Sequence, residues 1–130
     1  MASASRLFFV AAISGFLCVA FGAFVGHRLQ GAQALAYAQT GFDYQALHTL
    51  AAIGAALLAR TGSRTALSAG WLFLFGTAIF CGSLYAMALG APRVLGFATP
   101  IGGVSFMVGW GLLARAAWSS GKSSNQDAKQ

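Results

Sequence analysis

Acidic side chains are nearly missing: Asp43 and Asp127 are the only two in 130 residues. So few carboxylates exclude a soluble enzyme working through paired carboxylates, and equally a disordered acidic chain. Charge of either sign is scarce, at 8% of residues against roughly 25% in an average soluble chain, which excludes a solvated nucleic-acid-binding domain. Cysteine is limited to Cys18 and Cys81, in neither CxxC nor CxxCH spacing, so no cysteine metal site and no covalently attached haem is written into the chain. There is no G-x-S-x-G and no phosphate-binding glycine loop followed by Lys and Ser or Thr, so nucleophilic catalysis has no support.

What is present is apolar. Hydrophobic residues make up 58% of the chain and the mean hydropathy is +0.71, which defines a membrane protein. A helix needs about 20 apolar residues to cross a hydrocarbon core about 30 Å thick. Four runs have that length: 7–26, 42–59, 67–91 and 94–114, the second holding Asp43 and His48 in its first half. Backbone polar groups in lipid must be satisfied within each segment, so the expected fold is all-α, a four-helix transmembrane bundle over residues 1–118. Residues 119–130 mix Ser, Gly, Lys, Asn, Gln and Asp without apolar periodicity and read as a disordered polar cytoplasmic tail. Residues 27–41, with Leu29, Ala32 and Ala36 at helical spacing, suit either a short surface helix or a plain loop.

Four spans put both termini on one side, and the basic residues choose the side. Arg6, Arg60, Arg64, Arg115, Lys122 and Lys129 fall with the termini and the second loop, while only Arg28 and Arg93 fall in the other two loops. The excess predicts both termini in the cytoplasm, and the tryptophans agree: Trp71 opens span three, and Trp110 and Trp118 close span four, on that side. The net charge of +6 is thus topological rather than a nucleic-acid patch. The first apolar run exceeds the 7–15 residues of a signal-peptide core. Leu17-Cys18 resembles a lipoprotein cleavage site but has a bulky residue before the cysteine, so the first helix is expected to be retained.

Helices in lipid associate through close packing of small residues. Ser14, Cys18, Gly22 and Gly26 recur at every fourth position, as do Ala51, Ala55 and Ala59, then Ala78, Gly82, Ala86 and Gly90; Ser105 and Gly109 add one more pair. Gly22, Gly26, Gly82 and Ala86 are accordingly the expected helix-packing positions. Packing within one chain is favoured over homodimerisation, since three partner helices are already at hand.

Ionisable groups within a membrane are costly and are therefore functional candidates. His27 caps the end of span one, and Asp43, Tyr44, Gln45 and His48 occupy the start of span two. Tyr44 and His48 share a helix face, and because the two spans run in opposite directions, His27 and His48 are expected at similar depths in one polar cluster. Thr99, Pro100 and the Gly102-Gly103 pair predict a kink or non-helical stretch in span four at that depth, with Ser83 and Tyr85 in the same half of span three. Such a cluster suits a path for protons or a small solute through His27, Asp43 and His48 or, failing that, a bis-histidine haem at His27 and His48. A plain set of interhelical hydrogen bonds is the simplest use of the same residues.

The segments Gly22-Ala23-Phe24-Val25-Gly26-His27-Arg28-Leu29, 40–50 (Thr-Gly-Phe-Asp-Tyr-Gln-Ala-Leu-His-Thr-Leu), 82–89 (Gly-Ser-Leu-Tyr-Ala-Met-Ala-Leu) and 99–110, from Thr99-Pro100-Ile101-Gly102-Gly103 to Trp110, carry a resemblance. In that order they are similar to the motifs of the YgdD-type family, small inner-membrane proteins with a domain of unknown function. Asp43 stands where the bacterial relative has Glu, and Val25 where it has Gly. The resemblance implies four spans, a retained first helix and the bacterial cytoplasmic membrane, and it marks His27, Tyr44, Gln45, His48, Ser83, Tyr85, Thr99 and Pro100 as motif positions. It implies no activity and no cofactor. The expectation is a non-catalytic scaffold, interaction or membrane-homeostasis component whose partners are the lipid bilayer and either a second copy or another membrane protein.

Overall fold

The computed structural model describes residues 2–127; for residue 26 and residues 122–127 the backbone alone is described. Helix α1 (Ala2–Arg28) turns through three residues into α2 (Ala32–Ala59). A third rod follows, made of α3 (Arg64–Gly76), a π-helical turn (Thr77–Cys81) and α4 (Gly82–Ala88), which run on without a break. A short 3-10 turn (Arg93–Phe97) then leads into α5 (Thr99–Asp127). The described residues form no strand, and the four rods are α-helical throughout apart from the π turn. Three rods are long and apolar enough to cross a membrane: 2–25, 64–88 and 93–121.

Helix α2 falls outside that set because of Asp43, Gln45 and His48; its position in the bundle explains how it carries Gln45 and His48, while Asp43 stays exposed. It packs on α1, α3 and α4, and its buried positions Ala38, Gly41, Gln45, His48, Thr49, Ala52, Ala55 and Ala56 repeat at helical spacing. Polar atoms on that face meet neighbouring helices, so the low hydropathy of α2 reflects its central place. The apolar core lies toward the end of the bundle that holds the chain termini, where Leu7, Ala11, Ala52, Ala56, Ala69, Phe73 and Phe106 interlock.

The connections follow from local chemistry. Gly62 takes φ +94° just beyond α2, a left-handed value that glycine adopts without strain, and Ser63 then caps α3 by accepting a hydrogen bond from the Ala66 amide at 3.2 Å. Gly90 closes α4 in the same way at φ +99°.

Four sequence expectations give way here. Residues 32–41 are neither surface helix nor loop but the first turns of α2, since nothing between Ala32 and Tyr44 stops a helix. Its 28 residues span about 42 Å, more than a hydrocarbon core. Pro100 does not kink span four. It is the second residue of α5, where a missing amide breaks no helical hydrogen bond, and the irregular stretch is the 3-10 turn before it. The helix also continues past residue 118 to Asp127, where disorder was expected. The Ser119 and Ser120 hydroxyls bond back to the Arg115 and Ala116 carbonyls, both at 3.0 Å, and no proline follows. The rest of the expected tail, residues 128–130, lies outside the described residues.

The fourth concerns packing. Gly22 does receive a neighbour, as a Cβ there would lie 2.8 Å from the Phe42 ring. Gly26 is described only as part of α1, and Ala86 is half-buried. Gly82, however, has nothing within 4 Å of where a Cβ would stand. A close helix crossing is made by a pair outside the stripes: a Cβ on Gly76 would lie 2.9 Å from the Gly102 carbonyl oxygen, and a Cβ on Gly102 2.9 Å from that of Gly76. Backbone touches backbone where α3 meets α5.

Candidate functional site

The polar residues expected in one cluster divide into separate sets. His48 is 97% buried, with 3% exposure, and both ring nitrogens are engaged. The Trp110 indole N–H donates to Nε2 at 3.2 Å, and Nδ1 lies 2.8 Å from the Tyr44 carbonyl oxygen. An indole can only donate, so Nε2 must be the bare nitrogen and Nδ1 must carry the proton that it gives to Tyr44. This fixes one neutral tautomer. The Phe106 ring lies on the imidazole with centroids 3.5 Å apart and planes at 12°, and Phe73 and Tyr44 close the surroundings at 5.7 and 5.8 Å.

His27 is not part of this. Gln45 and Thr49 hold Ser14, so His48 stands level with the middle of α1. His27 lies thirteen residues beyond Ser14, about 20 Å along the axis, and is exposed. The equal depth expected of the two histidines fails because α2 begins ten residues before the apolar run does. A bis-histidine haem between them has no geometric basis: the pair is separated, and the Nε2 lone pair of His48 is already taken. Asp43 is also exposed, its carboxylate accepting from Gln39 Nε2 at 2.8 Å.

A second set joins three helices. Tyr85 Oη donates to Gln45 Oε1 at 2.7 Å, Gln45 Nε2 donates to the Ser14 carbonyl at 3.0 Å, and the Ser14 and Thr49 hydroxyls meet at 2.7 Å. The Tyr85 ring fits because Gly41 faces it; a Cβ there would be 2.6 Å from the ring, while Phe21 covers it with centroids 3.9 Å apart. A third set pins α4 to the start of α5. Ser83 Oγ donates to the Phe80 carbonyl at 2.8 Å, so the 2.8 Å contact with Thr99 is one in which Thr99 donates. Pro100 contributes backbone geometry to this junction. Tyr44 lies half-exposed with its ring on Phe80, centroids 4.5 Å apart.

Ser14, Thr49, Phe106 and Trp110 were not singled out in the sequence as partners of the candidate residues. Ser14 stood there only as a small packing residue, and Trp110 as part of an interfacial belt and as the last residue of the 99–110 segment. Their partners are 35 and 62 residues distant, and no local spacing in one sequence reports such pairs.

The remaining feature is the π-helical turn. A wider turn of this kind inserts an extra residue and often accompanies functional sites. Here it turns Thr77 and Cys81 inward, and between α1 and this rod a groove of about 570 Å³ opens. Its lining includes Ser14, Leu17, Phe21, Gln45, Thr77 and Tyr85, so it lies beside the Tyr85–Gln45–Ser14 chain. Cys18 and Cys81 are buried free thiols, Cys18 lying 3.8 Å from the Phe42 carbonyl oxygen.

A family model described as "Protein of unknown function (DUF423)" matches residues 20–103, a stretch that takes in the Gly22, Thr40 and Gly82 segments and the first five residues of the Thr99 segment. The UPF0382 inner membrane protein YgdD of Escherichia coli strain K12 is 47% identical over 109 residues, covering 79% of this chain and 82% of that protein. A UPF0382 membrane protein of Haemophilus influenzae is 43% identical over 112 residues, covering 84% and 90%. The UPF0382 membrane protein YwdK of Bacillus subtilis is 38% identical over 111 residues, covering 82% and 90%. No solved structure matches the chain. With a family model over more than half its length and relatives this similar across most of theirs, the chain belongs to the DUF423 family of membrane proteins of unknown function.

Proposed function

We propose that the protein is a non-catalytic scaffold of the bacterial cytoplasmic membrane, crossing it four times with both termini in the cytoplasm. The observation that carries this reading is that the interior polar side chains, Thr77 apart, hydrogen-bond to the protein itself. His48 spends both nitrogens on Trp110 and Tyr44, and Tyr85, Gln45, Ser14 and Thr49 form a closed chain between helices. Such groups hold a bundle together and are not free to take up a proton or a substrate. The names of the relatives support the inner membrane, and the excess of basic residues near the termini supports the orientation.

The orientation is tested by fusing a reporter after Gln130. A fusion active in the cytoplasm is expected, and periplasmic activity overturns the topology. The scaffold reading is tested by placing a photoreactive residue in cells at lipid-facing positions of α1 and α5, such as Phe16 (70% exposed) and Met107 (74% exposed). One adduct of discrete mass, recurring at neighbouring sites on the same face, is expected. A diffuse smear without a recurring mass counts against a scaffold, and so does a proton flux in proteoliposomes that His48→Gln abolishes.

A further inference from the structure

Thr77 differs from the other buried threonine of this chain, Thr49, whose hydroxyl meets that of Ser14 at 2.7 Å. A threonine in a helix ordinarily returns its hydroxyl to a carbonyl three or four residues back. Thr40 does so to Ala36 at 2.9 Å, and Thr61, in the turn just beyond α2, to Leu58 at 2.8 Å. Thr77, at the first position of the π-helical turn, has no partner. Among the described residues its Oγ1 is the only buried side-chain nitrogen or oxygen without a hydrogen bond, and the residue is just 7% exposed. A buried hydroxyl left unpaired destabilises the protein unless something else supplies the acceptor.

The same residue stands in the wall of the groove between α1 and the third rod. A volume of about 570 Å³ is within the range of pockets that take small molecules. No Lys, Arg, His, Asp or Glu lines it, so a charged ligand would be buried without a counter-charge. One side is open: Leu17 is 54% exposed, and Gly82 has nothing within 4 Å of a would-be Cβ. Access is therefore sideways, from lipid. Thr77 is the fourteenth of the 25 residues from Arg64 to Ala88, about 20 Å from one end and about 17 Å from the other. A phospholipid keeps its ester carbonyls at the interface and does not reach that depth; a molecule wholly soluble in the hydrocarbon does.

We propose that this groove binds a neutral, membrane-soluble carbonyl compound, its apolar body lying between α1 and α4 and its carbonyl oxygen accepting a hydrogen bond from Thr77 Oγ1. The site is independent of the scaffold reading, since it uses the one interior hydroxyl that the bundle leaves unspent among the described residues. Nothing is transferred or oxidised; the step is binding alone.

The test uses the full chain in phosphatidylcholine nanodiscs with a decyl-substituted benzophenone, whose ketone is both the hydrogen-bond acceptor and the photoreactive group. Adducts are expected within 10–24 and 74–85. A decyl-substituted quinone should suppress them at about fivefold lower concentration than decylbenzene, as one hydrogen bond would give. In Thr77→Val, checked for an unchanged elution profile, that preference should fall to about one. Gly82→Leu, which projects into open space, should remove the adducts by filling the groove. Adducts scattered over the lipid-facing surface, or a Thr77→Val protein that keeps its preference for the quinone, would overturn the proposal; the second is the result expected if the hydroxyl serves only a bound water.

Discussion

Gly102→Leu is expected to abolish the folded bundle or to lower its thermal midpoint by at least ~10 °C. A Cβ at residue 102 would stand 2.7 Å from the Phe80 amide nitrogen and 2.9 Å from the Gly76 carbonyl oxygen, and both are backbone atoms. A side-chain tip can rotate away from such a clash, whereas helical backbone moves only if α3 and α5 separate. Overpacking a close-packed interior costs about 1–3 kcal/mol and more where nothing can shift, which for a chain of this size corresponds to roughly 10 °C. Two controls on the same helix isolate the cause. Gly103 has its nearest neighbour at 4.0 Å, and Gly111 has none within 4 Å. Gly103→Ala and Gly111→Leu should therefore unfold close to the parent in a detergent melt followed by circular dichroism. A Gly102→Leu protein as stable as Gly111→Leu would show that the α3–α5 crossing is not held by backbone contact.

This crossing also marks where the sequence stops being informative. Composition and run length are sufficient for a bundle of helices, because lipid leaves the backbone no other way to bond. Spacing every fourth residue identifies small residues that share a face only while the helix keeps its regular pitch. The Ala78, Gly82, Ala86 and Gly90 stripe runs through the π-helical turn, which resets the register. Ala78 and Gly82 are consequently exposed, while Gly76, Thr77 and Cys81 are buried. No residue between Thr77 and Cys81 announces such a turn. The start of α2 escapes the sequence for a related reason: an uncharged apolar run marks the part of a helix that suits lipid, and α2 extends ten residues before it. The candidate residues themselves were legible as costly polar groups on spans. Their grouping was not, since it depends on which faces of four rods meet.

His48 gives the second large effect, and a double-mutant cycle with Trp110 states what kind of residue it is. Trp110→Phe removes the only donor to Nε2 and leaves a buried acceptor bare, which should cost about 1–3 kcal/mol in an SDS unfolding titration. His48→Leu loses both the hydrogen bonds and the ring on which Phe106 lies at 3.5 Å, and leaves the indole N–H without its acceptor, so its cost should be larger, about 2–4 kcal/mol. The double variant strands neither partner. Its cost should fall short of the sum of the two single changes by about 0.6–1.7 kcal/mol, from the mean to the maximum of interhelical hydrogen bonds measured in membranes. Additive costs would mean that the two side chains do not act as a pair, and would free the imidazole for some other use. A coupling in that range makes His48 a joint between α2 and α5, its proton fixed on Nδ1 by the very partner that would have to leave before the ring could bind iron or carry a proton. The histidine that looks most like a functional group in the sequence is then the one the fold can least release.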